Sequence, residues 1–246
     1  MKKHIPNSLT LLNLLTGCLG ILACLQHHYT LVPVFIAVSL IADFLDGFVA
    51  RALNVKSELG GQLDSLADMV TFGVLPGMML FSIINQLVTM QPENADNSFL
   101  QTPWALSGFA YTLFACLRLA KFNLDTRQTE NFIGLATPAG ALFVLGFYMQ
   151  FFEGWMTASD WSTLLYAKVA AIVISFILAF LMVAEIEIFS MKGNPFDWKK
   201  NKMRVLFLLS VIPQILLLQW LGLSTVIISY VVFAILHNAF EKKKAL

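Results

Sequence analysis

Short polar breaks divide this chain into a series of apolar stretches, each near the length of a bilayer-crossing helix, and that spacing limits the fold more than any other feature. About 20 apolar residues in a helix cross roughly 30 Å of hydrocarbon. The stretches fall at 7–25, 31–49, 61–87, 104–122, 135–152, 164–189, 205–220 and 223–236. At 58% hydrophobic residues, 13% charged residues and a mean hydropathy of +0.73, the chain holds more apolar surface than a soluble core of its length can hide. The expectation is an all-α fold: a polytopic transmembrane helical bundle of about eight spans, forming a single integral membrane domain over residues 1–246. The last two stretches are short, and Pro213 removes a backbone donor within the seventh; a tilted or re-entrant pair is the alternative.

Charge placement supports this map, because Lys and Arg near span ends collect on the cytoplasmic side. With the amino terminus inside, every one of the 16 basic residues except Lys168 falls on an inner segment. The breaks at 91–103 and 153–161 carry no Lys or Arg. Both termini are therefore expected in the cytoplasm, in a bacterial-type inner membrane. The formal net charge of +1 needs no nucleic-acid partner, since topology accounts for the basic residues. Cys18, Cys24 and Cys116 lie inside spans without metal-ligand spacing and read as apolar packing residues. Leu15-Thr16-Gly17-Cys18 has the form of a lipoprotein cleavage box. Cutting there would delete most of the first span and spoil the charge asymmetry, so that reading is not adopted. No chemistry is assigned to the four histidines, and the tryptophans suit interfacial belts.

Four of the 15 acidic residues, Asp43, Asp46, Asp64 and Asp68, crowd into positions 43–68. An aspartate at a helix centre costs about 2.5–3.5 kcal/mol on insertion scales, so four facing lipid would cost on the order of 10 kcal/mol. They must face inward, near the inner interface. Asp43 and Asp46 are three residues apart, with Gly47, Ala50 and Arg51 continuing along nearly the same face. Gly60, Asp64 and Asp68 recur every four residues, which stacks the last two carboxylates about 6 Å apart along one helix face. The intervening turn is short, so carboxylates from both helices can converge. Four hard oxygen donors without His or Cys suit Mg²⁺, Mn²⁺ or Ca²⁺, and two such ions would neutralise them. Gly47, Ala50 and Gly60 either leave room for a ligand or allow close helix packing, and Arg51 offers a fork for phosphate oxygens.

The run from Asp43 to Asp68 matches every fixed position of D-x2-D-G-x2-A-R-x8-G-x3-D-x3-D, and in this it resembles the CDP-alcohol phosphotransferases. The resemblance implies a CDP-alcohol phosphotransferase-like fold, a CDP-lipid donor and a divalent-metal cofactor, Mg²⁺ or Mn²⁺. It also implies a likeness to homodimers. It makes Asp43, Asp46, Asp64 and Asp68 metal ligands, with Asp68 also the general base. Gly47, Ala50, Arg51 and Gly60 would border the CDP-lipid. Asn7 and Thr10, at the inner start of the first span, either contact the diphosphate or cap the helix.

The signature does not specify the acceptor alcohol. The opening from Ile5 to Gly17, the run Arg118-Leu-Ala-Lys121-Phe-Asn123, the segment Gly134-Leu-Ala-Thr137-Pro138 and Ile188-Phe-Ser190-Met-Lys192 are similar to the serine-using bacterial branch of the family. The expected reaction moves the phosphatidyl group of CDP-diacylglycerol to L-serine. Glycerol 3-phosphate and inositol-type acceptors are the alternatives, and members using glycerol phosphate tend to carry Arg where Asn13 stands. A zwitterionic acceptor needs a cation for its carboxylate, for which Arg118, Lys121 and Arg127 are candidates, and an acceptor for its ammonium, for which Asn123 or Asp125 is suited. The competing reading of the basic residues is plain positive-inside charge. A divalent-cation transporter would also bury carboxylates, but would spread them through the bilayer depth rather than confine them to its inner half.

Overall fold

A computed structural model describes residues 4–55, 57–89, 103–125, 132–155, 161–188 and 202–244. The helices are α1 (His4–Leu25), α2 (Val32–Ala52), α3 (Glu58–Asp68), α4 (Leu75–Thr89), α5 (Phe109–Leu124), α6 (Thr137–Gln150), α7 (Trp161–Val183), α8 (Lys202–Leu218) and α9 (Trp220–Lys244). Two-residue strands, β1 (Phe132–Ile133) and β2 (Glu187–Ile188), pair antiparallel and tie the segment before α6 to the segment after α7. The fold is otherwise helical. The expected breaks at 91–102 and 192–201, and Arg127, lie outside the described residues.

Six helical rods are long and apolar enough to cross a membrane: His4–Leu25, Tyr29–Ala52, Glu58–Thr89, Pro103–Leu124, Leu165–Val183 and Trp220–Asn238. The chain is an integral membrane protein. The expected count of about eight spans is not confirmed: among the described residues six rods have the length and hydropathy of a span. Of the two final stretches expected to be short, only α8 is so, with an apolar part of Val205–Leu218. The stretch expected at 135–152 is also helical: α6 runs directly into a π-helical segment, Phe151–Trp155, and is not among the six rods. It is buried almost all round from Phe143 to Met149, as a core helix should be.

The first helix shows what drives assembly where lipid is as apolar as leucine. It buries Thr10, Asn13, Gly17, Gly20 and Cys24 on one face, at helical spacing, and exposes Leu11, Leu15 and Leu22. Small and polar residues face the protein and large apolar ones face outward, because close backbone approach and interhelical hydrogen bonds carry association in a bilayer. A Cβ at Gly17 would overlap Thr71 Oγ1, and one at Gly20 would stand 2.6 Å from a Leu75 methyl.

The rod Glu58–Thr89 is the centre of the bundle: 61% of its most apolar window is buried, against 28–39% in the other spans. It is interrupted by a π-helical segment, Met69–Val74, immediately after Asp68. Pro76 supplies the physical reason, since it has no N–H to offer the carbonyl of Phe72 four residues back. The buried Tyr111 hydroxyl lies 3.1 Å from that carbonyl and donates to it, and Thr112 Oγ1 donates to the Gly73 carbonyl at 3.0 Å. Tyr111 thus satisfies the carbonyl that the proline releases, and Thr112 adds a bond to the next one. Tyr111→Phe should cost about 1 kcal/mol and lower the thermal midpoint of the detergent-solubilised protein by ~2–4 °C, measured by differential scanning.

Candidate active site

The turn between α2 and α3 is built from local chemistry. Asn54 takes the left-handed conformation (φ 54°), and the N–H groups of Asn54 and Val55 bond back to the carbonyls of Arg51 and Ala50 at 3.1 and 3.0 Å. Ser57 then caps α3 by accepting the Gly60 N–H at 3.1 Å. The two helices are linked by a short turn, yet they make little direct contact, and α1 packs against both. The space left between them is where the acidic side chains meet.

One carboxylate oxygen from each of Asp43, Asp64 and Asp68 lies within 4.8 Å of the other two. The i, i+4 spacing on α3 and the single face of α2 bring these three together as the sequence predicts. Asp46, expected as a fourth ligand, is placed beside them rather than among them. It is 6% exposed and accepts a hydrogen bond from Thr10 Oγ1 at 2.5 Å. Asp68 Oδ1 accepts from Asn13 Nδ2 at 3.1 Å.

Among the described residues Asp64 Oδ1 is buried without a hydrogen-bond partner. A buried acceptor left unpaired costs roughly 1–3 kcal/mol, more when charged. Three convergent carboxylates also repel one another unless a cation lies between them. Hard oxygen donors, close convergence and an orphaned oxygen fit a hard divalent ion.

A cavity of about 230 Å³ adjoins the carboxylates. Asn7 and Thr10 line it from α1, Asp46, Gly47, Ala50 and Arg51 from α2, and Ser57, Gly60, Gly61 and Asp64 from the start of α3. Every residue expected to border the CDP-lipid is therefore on its wall. A Cβ at Gly47 would stand 3.4 Å from Arg51 Nη1, and one at Gly60 would stand 3.1 Å from Ser57 Oγ and 3.4 Å from Asn7 Oδ1. These neighbours are polar side-chain ends on the cavity wall, unlike the packed contacts of Gly17 and Gly20. The first turn of α3 lies on the cavity wall, where the positive end of its dipole is suited to an anion.

The acceptor candidates divide. Arg118 and Lys121 line a second cavity of about 370 Å³, together with Asp125 and Glu185. Arg118 is 5% exposed, its guanidinium lies 5.0 Å from the Phe122 ring centre, and its Nε has no hydrogen-bond partner among the described residues. Asn123 is not on that wall; its Nδ2 donates to Ser65 Oγ of α3 at 2.9 Å. Its role in the structure is to join α5 to α3.

Three features escaped the sequence reading. Asn13 holds Asp68, Ser57 and Gly61 complete the cavity, and the π segment follows Asp68 directly. Each left a signal: Asn13 is three residues beyond Thr10 on the same helical face, Ser57 precedes Gly60 at N-cap spacing, and Pro76 interrupts the long apolar rod.

The bundle thus gathers three aspartates beside a cavity whose wall carries Asp46, Asp64 and three glycines. Residues 3–180 match the CDP-alcohol phosphatidyltransferase family, and the chain belongs to it. The chain is 37% identical over 143 residues to the CDP-diacylglycerol–serine O-phosphatidyltransferase of Bacillus subtilis, covering 58% of this chain and 74% of that protein. Relatives of the same name in Mycobacterium tuberculosis and Methanocaldococcus jannaschii are 35% identical over 170 residues and 36% over 143. Those matches cover 64% and 58% of this chain, and 54% and 59% of the relatives' lengths.

The carboxylate cluster is tested by metal-dependent stability. Saturating Mn²⁺ should raise the thermal midpoint of the wild-type protein by at least about 5 °C, and a chelator should reverse the gain. Asp64→Asn should lose most of it.

Proposed function

We propose that the chain transfers the phosphatidyl group of CDP-diacylglycerol to the hydroxyl of L-serine, giving phosphatidylserine and CMP. The observation that carries this reading is the meeting of Asp43, Asp64 and Asp68 beside a cavity walled by Gly47, Ala50, Arg51 and Gly60. The names of the relatives supply the acceptor.

In this reading the diphosphate enters the cavity, where Arg51 and the N–H groups at the start of α3 bind its oxygens. Asn7 and Thr10 contribute hydrogen bonds from α1. A pair of divalent ions, Mg²⁺ or Mn²⁺ with Ca²⁺ as a third choice, held by Asp43, Asp64 and Asp68 with Asp46 alongside, would offset the diphosphate charge and draw electron density from the phosphorus under attack. Asp68 takes the proton of the serine hydroxyl. The serine oxygen bonds to the phosphorus bearing the lipid, and the bond from that phosphorus to the bridging oxygen breaks. CMP departs with the electron pair, and the in-line displacement inverts configuration at phosphorus. Arg118 and Lys121 bind the serine carboxylate from the second cavity, and Asp125 takes its ammonium.

Topology belongs to the same proposal. The distribution of basic residues supports a cytoplasmic site and cytoplasmic termini in a bacterial-type inner membrane. A homodimer rests on family analogy. The transporter alternative is disfavoured because the acids converge on one point instead of tracing a path.

Purified protein with CDP-diacylglycerol and Mg²⁺ or Mn²⁺ should release CMP when serine is added, and much less with glycerol 3-phosphate or inositol phosphate. Release with glycerol 3-phosphate alone would overturn the acceptor and leave the chemistry standing; no release with any acceptor would favour transport. Asp68→Asn should retain CDP-lipid binding and lose about 10²–10⁴-fold in turnover. Wild-type turnover in that variant would remove Asp68 from the role of base.

A further inference from the structure

Asn13 is fully buried, at 0% exposure, on the face of α1 that meets the central rod. Its side chain makes one hydrogen bond among the described residues, from Nδ2 to Asp68 Oδ1 at 3.1 Å, while its Oδ1 is buried and unpartnered. Its backbone carbonyl is fixed separately. That oxygen accepts from Thr71 Oγ1 at 3.1 Å, Thr16 Oγ1 at 3.0 Å and Ser39 Oγ at 3.4 Å. Hydroxyls from α2 and the π segment thus anchor the main chain at this position without using the asparagine side chain.

A buried amide with half its hydrogen-bonding capacity unmet is a poor way to stabilise a bundle; an apolar residue of the same shape would serve the fold better. The one satisfied function points at Asp68. We propose that Asn13 is the positioning residue of the catalytic centre. Its amide holds one oxygen of Asp68, and so fixes the carboxylate plane with the second oxygen free for the acceptor hydroxyl. This rests on the reading of Asp68 as general base. Asn13 acts through Asp68 and touches neither the CDP-lipid nor the acceptor. It also couples α1 to chemistry carried by α3, so the helix that supplies Thr10 to Asp46 supplies a donor to Asp68 as well.

The test uses two substitutions that remove the same donor but act oppositely on packing. Asn13→Leu fills the site and removes the orphaned oxygen; Asn13→Ala leaves a void. Both should lower kcat by about 10–100-fold, as lost supporting hydrogen bonds at such centres do. Both should leave KM for CDP-diacylglycerol within about twofold, the pattern of an interaction that matters in the transition state. The thermal midpoint should hold or rise in Asn13→Leu and fall in Asn13→Ala, so that kcat follows the donor and not stability. The proposal is overturned if kcat is retained in both variants, or if it is lost only in the less stable one. It is equally overturned if both variants fail to fold or to bind CDP-lipid, which would make Asn13 a residue of the scaffold. Asp68→Asn, assayed in parallel, keeps the failures apart. Normal turnover there sinks the base itself, whereas a slow Asp68→Asn beside normal Asn13 variants sinks only the positioning role.

Discussion

Carboxylates gathered inside a membrane bundle repel one another and lose their hydration, and nearly every local feature around them answers that cost. The first helix turns its leucines outward and its hydroxyls and amide inward. Thr10 donates to Asp46 and Asn13 to Asp68, while Asp43, Asp64 and Asp68 converge where the proposed cation would lie. Because α1 lies against both α2 and α3 while those two scarcely touch, the acids are brought within reach of one another across a gap. Direct packing of α2 on α3 would have closed the space the ligand needs.

The π segment extends the same logic to the far side of the site. Directly after Asp68 the central rod widens its turn, and the carbonyls of Phe72 and Gly73 accept from Tyr111 and Thr112 of α5. The Thr71 side chain in that segment reaches back to the Asn13 carbonyl. The helix carrying the proposed base is thus gripped from α1 and from α5 within a few residues of Asp68. A rigid support of this kind is what a site needs when a displacement of about 1 Å at the reacting groups lowers the rate about 10²-fold.

What the sequence made legible is what depends on spacing along one helix. Asp43 and Asp46 at i, i+3, and Gly60, Asp64 and Asp68 at i, i+4, share faces by geometry alone, and the short turn returns the chain to the same depth. The cavity wall was readable for the same reason. Asp46 lies outside the group formed by the other three and accepts from Thr10 of α1, a contact between helices that no local pattern encodes. Asn123 shows the converse. Lys121 lies three residues beyond Arg118 and shares its face, but Asn123 lies two residues beyond Lys121, about 200° around the helix, and so meets Ser65 instead of the second cavity. The burial of α6 was not readable in the same way, because hydropathy alone cannot distinguish a lipid-facing helix from one buried on all sides.

The unmet polar atoms show where the fold concedes stability. Asn13 Oδ1, Asp64 Oδ1 and Arg118 Nε are the buried side-chain polar atoms without partners among the described residues. Two lie at the carboxylate centre, and the third lines the second cavity. A bundle selected for stability alone would have filled these positions with apolar side chains or closed the bonds. Asp64 Oδ1 is a carboxylate oxygen and Asn13 Oδ1 a neutral amide oxygen, both beside the acids, whereas Arg118 Nε is a cationic donor on the wall of the second cavity. In the proposed reaction a divalent ion would answer the carboxylate and the serine carboxylate the guanidinium.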